Sequence, residues 1–132
     1  MNSFFIDSTI WVEFFRGKSR AVNDFVLPLI NEDRIYYNGI VLSELLIGAN
    51  NEKEFSFIRD NFAGFKYLET ARSTFEKASL IGSRLRKVGI TIPLTDLIIA
   101  AHCLQYDLTL LTADPHFKFV NKKMKFKVEF LK

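Results

Sequence analysis

The sequence predicts an α/β fold in which a mainly parallel central sheet is flanked by helices on both faces. Short apolar runs typical of strands alternate along the chain with segments whose apolar residues recur at helical spacing, and this alternation favours parallel strands joined by helices. Acidic residues also follow strands or open helices, where such a fold brings them to one edge of the sheet. With 132 residues, 48% hydrophobic and 25% charged, the chain fits one compact domain covering residues 1–132.

The apolar pattern sets the order of the elements. The predicted strands are 4–6, 34–37, 67–68, 108–112 and 128–131. The predicted helices are 10–16, 21–30, 41–48, 55–62, 71–88 and 97–104. No repeat, low-complexity tract or Pro/Gly-rich linker interrupts them, so the sequence indicates no domain boundary.

Particular residues predict how these elements begin and end. Ser8 or Thr9 can cap the first helix and Thr95 the last, because their hydroxyl groups accept hydrogen bonds from free backbone N–H groups. Pro28 should bend or interrupt the second helix, and Asn38-Gly39 is expected to be the turn after the second strand. The expected buried face of the fifth helix consists of Phe75, Ala78, Leu80, Ile81 and Leu85.

Composition and the first residues of the sequence give expectations about the cellular location of the protein. No apolar stretch approaches the ~20 residues needed to cross a bilayer, and the first residues lack the basic lead-in of a secretory signal. Cys103 is the only cysteine, which excludes an internal disulfide and is compatible with a reducing compartment. We therefore expect a cytoplasmic protein that does not associate with a membrane.

Four acidic residues from distant segments form the main candidate site. Asp7 follows the first strand and Asp114 follows the strand 108–112, so both fall at the carboxyl edge of the sheet, where ligands bind in open α/β folds. Glu44 and Asp96 are placed in the first turns of two helices, and helices in such folds begin at that same edge. We therefore expect these four carboxylates to converge.

Converging carboxylates of this kind suit a metal centre. Hard divalent cations such as Mg²⁺ and Mn²⁺ prefer oxygen ligands, and one or two such ions can activate water and neutralise charge on a scissile phosphate. Without a cation the carboxylates would repel one another and raise their own pKa values. Thr9 and Thr112 add hydroxyl groups beside Asp7 and Asp114, where they can support the metal ligands or a bound water.

Each acidic residue also has an ordinary structural explanation. Asp7 can cap a helix, and Asp96 can interact favourably with a helix dipole. Glu44 can be a solvated helix residue, and Asp114 is a usual turn residue before a proline. Only the joint placement of the four favours a site.

A net charge of +3 points to a polyanionic substrate. If four carboxylates are gathered in one place, the rest of the surface is distinctly basic, and a basic rim attracts nucleic-acid phosphates. The basic residues form three groups, which are Arg16, Lys18 and Arg20; Arg84, Arg86 and Lys87; and Lys118, Lys122, Lys123, Lys125 and Lys127. For any one group, ordinary solvated surface charge is the alternative.

Four local motifs occur in an order that resembles PIN-domain ribonucleases. They are residues 7–11 (DSTIW), 43–48 (SELLIG), 95–101 (TDLIIAA) and 111–117 (LTADPHF). The resemblance covers nearly the whole chain and is strongest to the small VapC-type toxins of bacterial and archaeal toxin–antitoxin pairs, which residues 14–17 (FFRG) also resemble.

This resemblance implies a PIN-like three-layer sandwich and a Mg²⁺- or Mn²⁺-dependent endoribonuclease. Asp7, Glu44, Asp96 and Asp114 would bind the metal, and Thr112 would be the accompanying hydroxyl. The resemblance also implies an RNA substrate, a homodimer and a VapB-like antitoxin that obstructs the acidic pocket. Any exposed members of the 14 phenylalanines would mark the surface that receives such a partner helix.

Three reactive side chains near the motifs need separate interpretations. His116 stands two residues after Asp114, where many members of this family carry a further acidic residue, and this leaves the number of metal ions open. We expect His116 to be a loop residue without a function, with contact to substrate phosphate as the alternative. His102 is expected at the surface or in packing, and Cys103 as a buried thiol rather than a nucleophile.

Other classes of protein share part of this pattern. A haloacid-dehalogenase-like phosphatase also opens with a strand ending in Asp, but it usually has a second acidic residue two places later, where this chain has Thr9. A receiver-like signalling module usually has adjacent acidic residues after the first strand and a lysine near the last, and neither is evident. A PIN-like domain that binds RNA without cutting it is the third alternative.

Overall fold

The computed structural model describes residues 2–131; residues 1 and 132, which the predicted domain includes, lie outside that range. The strands are β1 (Phe4–Ile6), β2 (Ile35–Asn38), β3 (Lys66–Leu68), β4 (Thr109–Thr112) and β5 (Val128–Phe130). The helices are α1 (Ser8–Arg16), α2 (Arg20–Asn31), α3 (Gly39–Ile47), α4 (Glu52–Phe62), α5 (Arg72–Lys87), α6 (Leu94–Gln105) and α7 (His116–Lys123). The predicted α/β class is confirmed.

All strand pairs of the sheet are parallel, and the strand order is β3-β2-β1-β4-β5. β1 and β4 are buried along their whole length, as expected for parallel strands covered by helices on both faces. The chain moves outward from β1 through β2 to β3 and then returns to the other side of β1 with β4. The carboxyl ends of β1 and β4 therefore form the topological switch point, where open α/β sheets bind ligands.

An aromatic cluster holds α1 and α4 together in the core. The rings of Trp11 and Phe62, both almost completely buried, lie 4.9 Å apart between centroids. Phe62 also contacts Tyr37 of β2 at 5.1 Å and Phe65 at 5.2 Å, both edge to face. Because Trp11 belongs to the helix that follows β1, this packing fixes the beginning of α1 against the sheet.

A second apolar cluster joins α5, α6 and α7. The buried face of α5 is Thr74, Ala78, Ile81 and Leu85. The predicted face was wrong at Phe75 and Leu80, which are 47% and 43% exposed. The buried positions follow a repeat of four, three and four residues, and the two exposed apolar residues fall beside that stripe rather than on it.

Two helix starts differ from the main prediction: Asp7 caps α1 in place of Ser8 or Thr9, which matches the ordinary structural explanation given for Asp7, and α3 begins directly after β2 instead of after a turn. Asp7 itself caps α1, where its carboxylate accepts a hydrogen bond from Ser8 N. Asn38 ends β2 and caps α3 by accepting a hydrogen bond from Val41 N at 3.1 Å. The expected turn at Asn38-Gly39 is therefore wrong, since the strand passes directly into the helix.

The remaining differences concern α2, α6 and α7. α2 runs without interruption to Asn31, because Pro28 lies in the exposed last turn, where water can replace the lost backbone hydrogen bond. Thr95 does not cap α6; the helix begins at Leu94 after Pro93, and no side chain caps it. The eight-residue helix α7, absent from the prediction, is anchored by buried Phe117 and Val120.

Replacing Phe62 with alanine should lower the free energy of unfolding by about 3–5 kcal/mol, because it removes a fully buried ring and leaves a cavity between α4 and β2. The matched control is Phe75→Ala on α5, where a half-exposed ring is lost and about 1 kcal/mol or less is expected. Chemical denaturation of both variants measures the difference. Equal losses would contradict the packing described for Phe62.

Candidate metal centre

The carboxyl ends of β1 and β4 bring two of the predicted residues together. Asp7 follows β1 and Asp114 follows β4, and these neighbouring strands remain paired as far as the hydrogen bond from Asp7 N to Leu111 O, at 2.9 Å. The Asp7 side chain is only 4% exposed, whereas that of Asp114 is 24% exposed. Asp7 therefore forms the floor of the site and Asp114 its rim.

Three hydrogen bonds hold the Asp7 carboxylate. Its Oδ1 accepts from Ser8 N at 2.8 Å. Its Oδ2 accepts from Thr9 Oγ1 at 3.0 Å and from Thr112 Oγ1 at 2.8 Å. Burial raises the pKa of Asp7 above its usual value, the three hydrogen bonds oppose that shift, and the charge of Asp114 adds to it. The side chain is thus held in one orientation despite the cost of burying its charge.

Two threonine hydroxyl groups connect Asp7 to the loop after β4. Thr112 Oγ1 accepts a hydrogen bond from Asp114 N at 3.0 Å while it donates to Asp7. Thr9 Oγ1 accepts from Ala113 N at 3.2 Å while it also donates to Asp7. Each hydroxyl therefore uses its donor and its acceptor capacity at once, and the two fix the position of the Asp114 backbone relative to the Asp7 carboxylate.

Helices α3 and α6 supply the other two carboxylates. Glu44 Oε1 accepts a hydrogen bond from Ser8 Oγ at 3.2 Å, so it lies beside the start of α1. Partial burial raises the pKa of Glu44, and the charges of Asp7 and Asp114 raise it further. The expected position of Glu44 in a first turn was wrong, because α3 begins at Gly39 and Glu44 is its sixth residue.

Asp96 lies in the first turn of α6, as predicted, with a side chain that is 15% exposed. Burial is the main cause that raises the pKa of Asp96 to about 6, and the charges of Asp114 and Asp7 contribute. The nearby imidazole of His116 opposes this shift. Mutual repulsion among Asp7, Asp96 and Asp114 shows that the fold brings these carboxylates within electrostatic range of one another.

The four carboxylates, meaning those of Asp7, Glu44, Asp96 and Asp114, have no strong cationic partner in the described structure. Within residues 2–131, no Lys or Arg nitrogen lies within ion-pair distance of any of them. Their oxygen atoms are the donor type that Mg²⁺ and Mn²⁺ prefer. The donor set and its uncompensated charge therefore fit a divalent cation.

Comparison with known proteins identifies the family. A model of the PIN domain matches residues 4–123. The chain belongs to the PIN-domain family. It is 33% identical over 119 residues to Ribonuclease VapC from Rickettsia bellii (strain RML369-C), with 81% of each chain covered. This relative places the chain among the VapC ribonucleases of the PIN family.

Solved structures show the same fold. DNA-bound VapBC from Salmonella typhimurium aligns with a TM-score of 0.82 at 18% identity, covering 98% of each chain. VapBC2 from Rickettsia felis, bound to a DNA fragment from its promoter, aligns with a TM-score of 0.77 at 19% identity, again over 98% of each chain. The predicted PIN-like arrangement of sheet and helices is therefore confirmed.

His116 is a second residue of this PIN domain whose position differs from the sequence prediction. It opens α7 instead of lying in a loop, and its Nδ1 lies 3.5 Å from Asp96 Oδ2 and 3.4 Å from Asp114 Oδ1. Its backbone N–H donates to Asp114 Oδ1 at 2.9 Å. The sequence signal for this contact was that His116 stands two residues after Asp114, because a turn of that length can bring the His116 side chain back to the Asp114 carboxylate.

His102 and Cys103 of α6 lie inside the protein. The Asn38 amide N–H donates to His102 Nδ1 at 3.0 Å, and His102 Nε2–H donates to Glu69 O at 3.2 Å. Burial lowers the pKa of His102, which fits this neutral tautomer. Burial, with the charge of Asp7, raises the pKa of the Cys103 thiol. His102 is thus a packing residue, and Cys103 is the buried, unreactive thiol expected.

A groove of about 450 Å³ lies between α1, α3 and α4 and reaches the site at Glu44. Its apolar lining includes Val12, Phe15, Leu45, Phe57 and Ile58. Arg16 and Glu54 add charge at its walls. Phe57 is 56% exposed, so one of the phenylalanines that the sequence placed near the early helices presents its ring to this groove and to solvent.

No helix within residues 2–131 is long and apolar enough to cross a membrane.

Replacing Asp96 with asparagine should stabilise the metal-free protein at pH 7.5. The pKa of Asp96 is raised from 3.8 to about 6 in the fold, so its charged form destabilises the folded state above pH 6, by about 3 kcal/mol at most. This penalty is lost as the pH falls from about 6 toward 3.8. The stability gain of Asp96→Asn should therefore shrink over that interval.

Chemical denaturation in EDTA between pH 4 and 7.5 measures this gain. The control is Asp24→Asn, an exposed change on α2 outside the acidic cluster, which shows the effect of the substitution itself at each pH. A stability difference between wild type and Asp96→Asn that is constant across the pH range would contradict the buried, mutually repelling arrangement.

Proposed function

We propose that this chain is a metal-dependent endoribonuclease and the toxin component of a type II toxin–antitoxin pair. The observation that carries this proposal is the placement of Asp7 and Asp114 at the carboxyl ends of β1 and β4 in a VapC-family PIN domain. Glu44 and Asp96 lie near enough for the charges of both residues to raise their pKa values, and no Lys or Arg within residues 2–131 pairs with any of the four. Burial and mutual repulsion of Asp7, Asp96 and Asp114 make a cation the natural counter-charge.

Asp7, Glu44, Asp96 and Asp114 would hold Mg²⁺ or Mn²⁺. When bound, such a cation supplies an activated water and neutralises charge on the scissile phosphate. The chain itself supplies the geometry: Thr112 and Thr9 keep Asp7 oriented, and both tie it to the backbone before Asp114. We therefore assign Thr112 a positioning role, through the two hydrogen bonds that it makes at once.

Hydrolysis by water attacking phosphorus in line would leave a 5′-phosphate and a 3′-hydroxyl group. This route does not use the ribose 2′-hydroxyl as the nucleophile. The phosphatase alternative would need Asp7 as a nucleophile, but both carboxylate oxygens of Asp7 accept hydrogen bonds, and Thr9 stands where a second acid would be expected. These hydrogen bonds favour a metal-binding role for the Asp7 carboxylate over a role as the nucleophile.

Basic side chains would attract the RNA. Arg16 and Glu44 line the same groove, so the Arg16 guanidinium lies close to the acidic edge. Arg16 also forms an ion pair with Glu13 at 2.9 Å. Pairs of Arg20 with Asp24 and of Lys127 with Asp107 reduce the free positive charge elsewhere. We propose that Arg16 and the lysines of α7 contribute most to RNA phosphate contacts.

We also propose that the groove between α1, α3 and α4 receives a VapB-like antitoxin. It offers exposed apolar surface at Phe57 and charged walls, which suit an amphipathic helix. Since the groove ends at Glu44, a partner lying in it would also obstruct the acidic site. A homodimer and a cytoplasmic location remain predictions from the sequence and family.

Asp7→Asn should reduce RNA cleavage by about 100-fold or more, because it removes a charged ligand from the floor of the site. Asp24→Asn, an exposed change on α2, is the matched control and should cleave at the wild-type rate. EDTA should stop the reaction, and Mg²⁺ or Mn²⁺ should restore it. Thermal unfolding confirms that both variants are folded.

The product ends provide a second measurement in the same reactions. Mapping should find 5′-phosphate and 3′-hydroxyl termini. Termini with 2′,3′-cyclic phosphate, or full activity of Asp7→Asn, would reject the proposed chemistry. Binding of RNA without cleavage under any metal condition would favour the non-cleaving alternative.

Phe57→Glu should weaken binding of a VapB-like antitoxin by at least about tenfold, because it places a charge where an apolar partner surface would lie. The matched control is Phe75→Glu on α5, which is similarly exposed but distant from the groove in sequence and outside its lining. Calorimetric titration measures both affinities. Nuclease activity of both variants without antitoxin should match wild type, and equal affinities would reject the groove as the partner site.

A further inference from the structure

His116 extends the oxygen cluster with a nitrogen atom. One ligand atom each from Asp96, Asp114 and His116 lie within 4.8 Å of one another. The imidazole Nδ1 is 3.5 Å from Asp96 Oδ2 and 3.4 Å from Asp114 Oδ1. The three side chains can therefore all contact one ion placed between them.

These separations fit ligands of a shared ion better than direct hydrogen bonds. A charge-assisted N–H···O bond has a length of about 2.7–2.9 Å, which is clearly shorter than both contacts. Two ligands that are each about 2.1 Å from an ion, with an angle of 90–110° between them, are about 3.0–3.4 Å apart. The nitrogen thus lies at roughly the spacing of an adjacent coordination position from each of the two oxygens.

The fold fixes the backbone that carries the half-exposed imidazole. The His116 backbone N–H donates to Asp114 Oδ1 at 2.9 Å, which fixes the residue to the carboxylate beside it. The next residue, Phe117, is fully buried, and Val120 is buried one turn later. Helix α7 is therefore anchored in the core, and His116 is carried on its first turn.

We propose that His116 is a nitrogen ligand of the divalent cation, and that it makes the centre favour transition-metal ions such as Mn²⁺ and Co²⁺ over Mg²⁺. This inference rests on the proposed metal-dependent function. Mg²⁺ strongly prefers oxygen ligands and gives up its water reluctantly, whereas first-row transition ions accept imidazole readily. One imidazole among carboxylates therefore shifts the relative affinity without removing the site.

Electron spin-echo envelope modulation of the Mn²⁺-loaded protein, with any affinity tag removed, tests the ligand directly. We expect ¹⁴N modulation from a coordinated imidazole. The chain has 2 histidines, and both ring nitrogens of His102 are engaged inside the protein, so the signal would come from His116. His116→Asp should keep Mn²⁺ bound, lose the modulation and lower the Mn²⁺/Mg²⁺ affinity ratio by about tenfold.

His116→Gln is the second variant, in case the aspartate disturbs the start of α7; it should also lose the modulation. Mn²⁺ binding without imidazole modulation in wild type would overturn the role of His116 and leave the metal centre standing. Asp96→Asn separates the two ideas, since it should abolish Mn²⁺ binding. Absence of Mn²⁺ binding in wild type, or undiminished binding in Asp96→Asn, would count against the metal centre itself.

Discussion

The arrangement of the whole site depends on uncompensated negative charge held at the edge of a parallel sheet. Asp7 is buried among strands and helices that have no freedom to move it away from Asp114, because β1 and β4 are adjacent and hydrogen-bonded up to that point. Burial is the main cause of the raised pKa values of Asp7, Glu44 and Asp96, and repulsion between these carboxylates and Asp114 adds to it. A bound cation would oppose both effects by stabilising the charged forms.

The hydroxyl of Thr112 makes that rigidity possible. By donating to Asp7 and accepting from the backbone of Asp114, it sets the spacing between the two strand ends with one short side chain. Thr9 repeats the same connection from α1 to Ala113. The aromatic packing of Trp11 against Phe62 supports this spacing, because it fixes α1, the helix that Asp7 caps. Core packing and site geometry are thus parts of one structure.

The sequence placed Asp7 and Asp114 after strands and Asp96 in a first helical turn, as the structure has them, because strand ends and helix starts in an α/β fold follow rules that need no side-chain detail. The first-turn position of Glu44 was wrong. The roles of all four as metal ligands stay predictions. Sequence reasoning failed where the outcome depends on tertiary contacts. Which residues of α5 are buried depends on the elements that pack against that helix, and the apolar residues Phe75 and Leu80 proved exposed.

Local competition explains the other failures. Asp7 caps α1 in place of Ser8 or Thr9, and Asn38 caps α3 where a turn was expected, because strand ends lie directly beside free helix N–H groups. Helix α7 has only eight residues and begins just after a proline, so its apolar period was too short to stand out. Missing that helix also hid His116, whose return toward Asp96 and Asp114 follows from the helix start. The location of the His116 side chain relative to Asp114 therefore depends on the conformation of the backbone between them, which the residue type alone does not reveal.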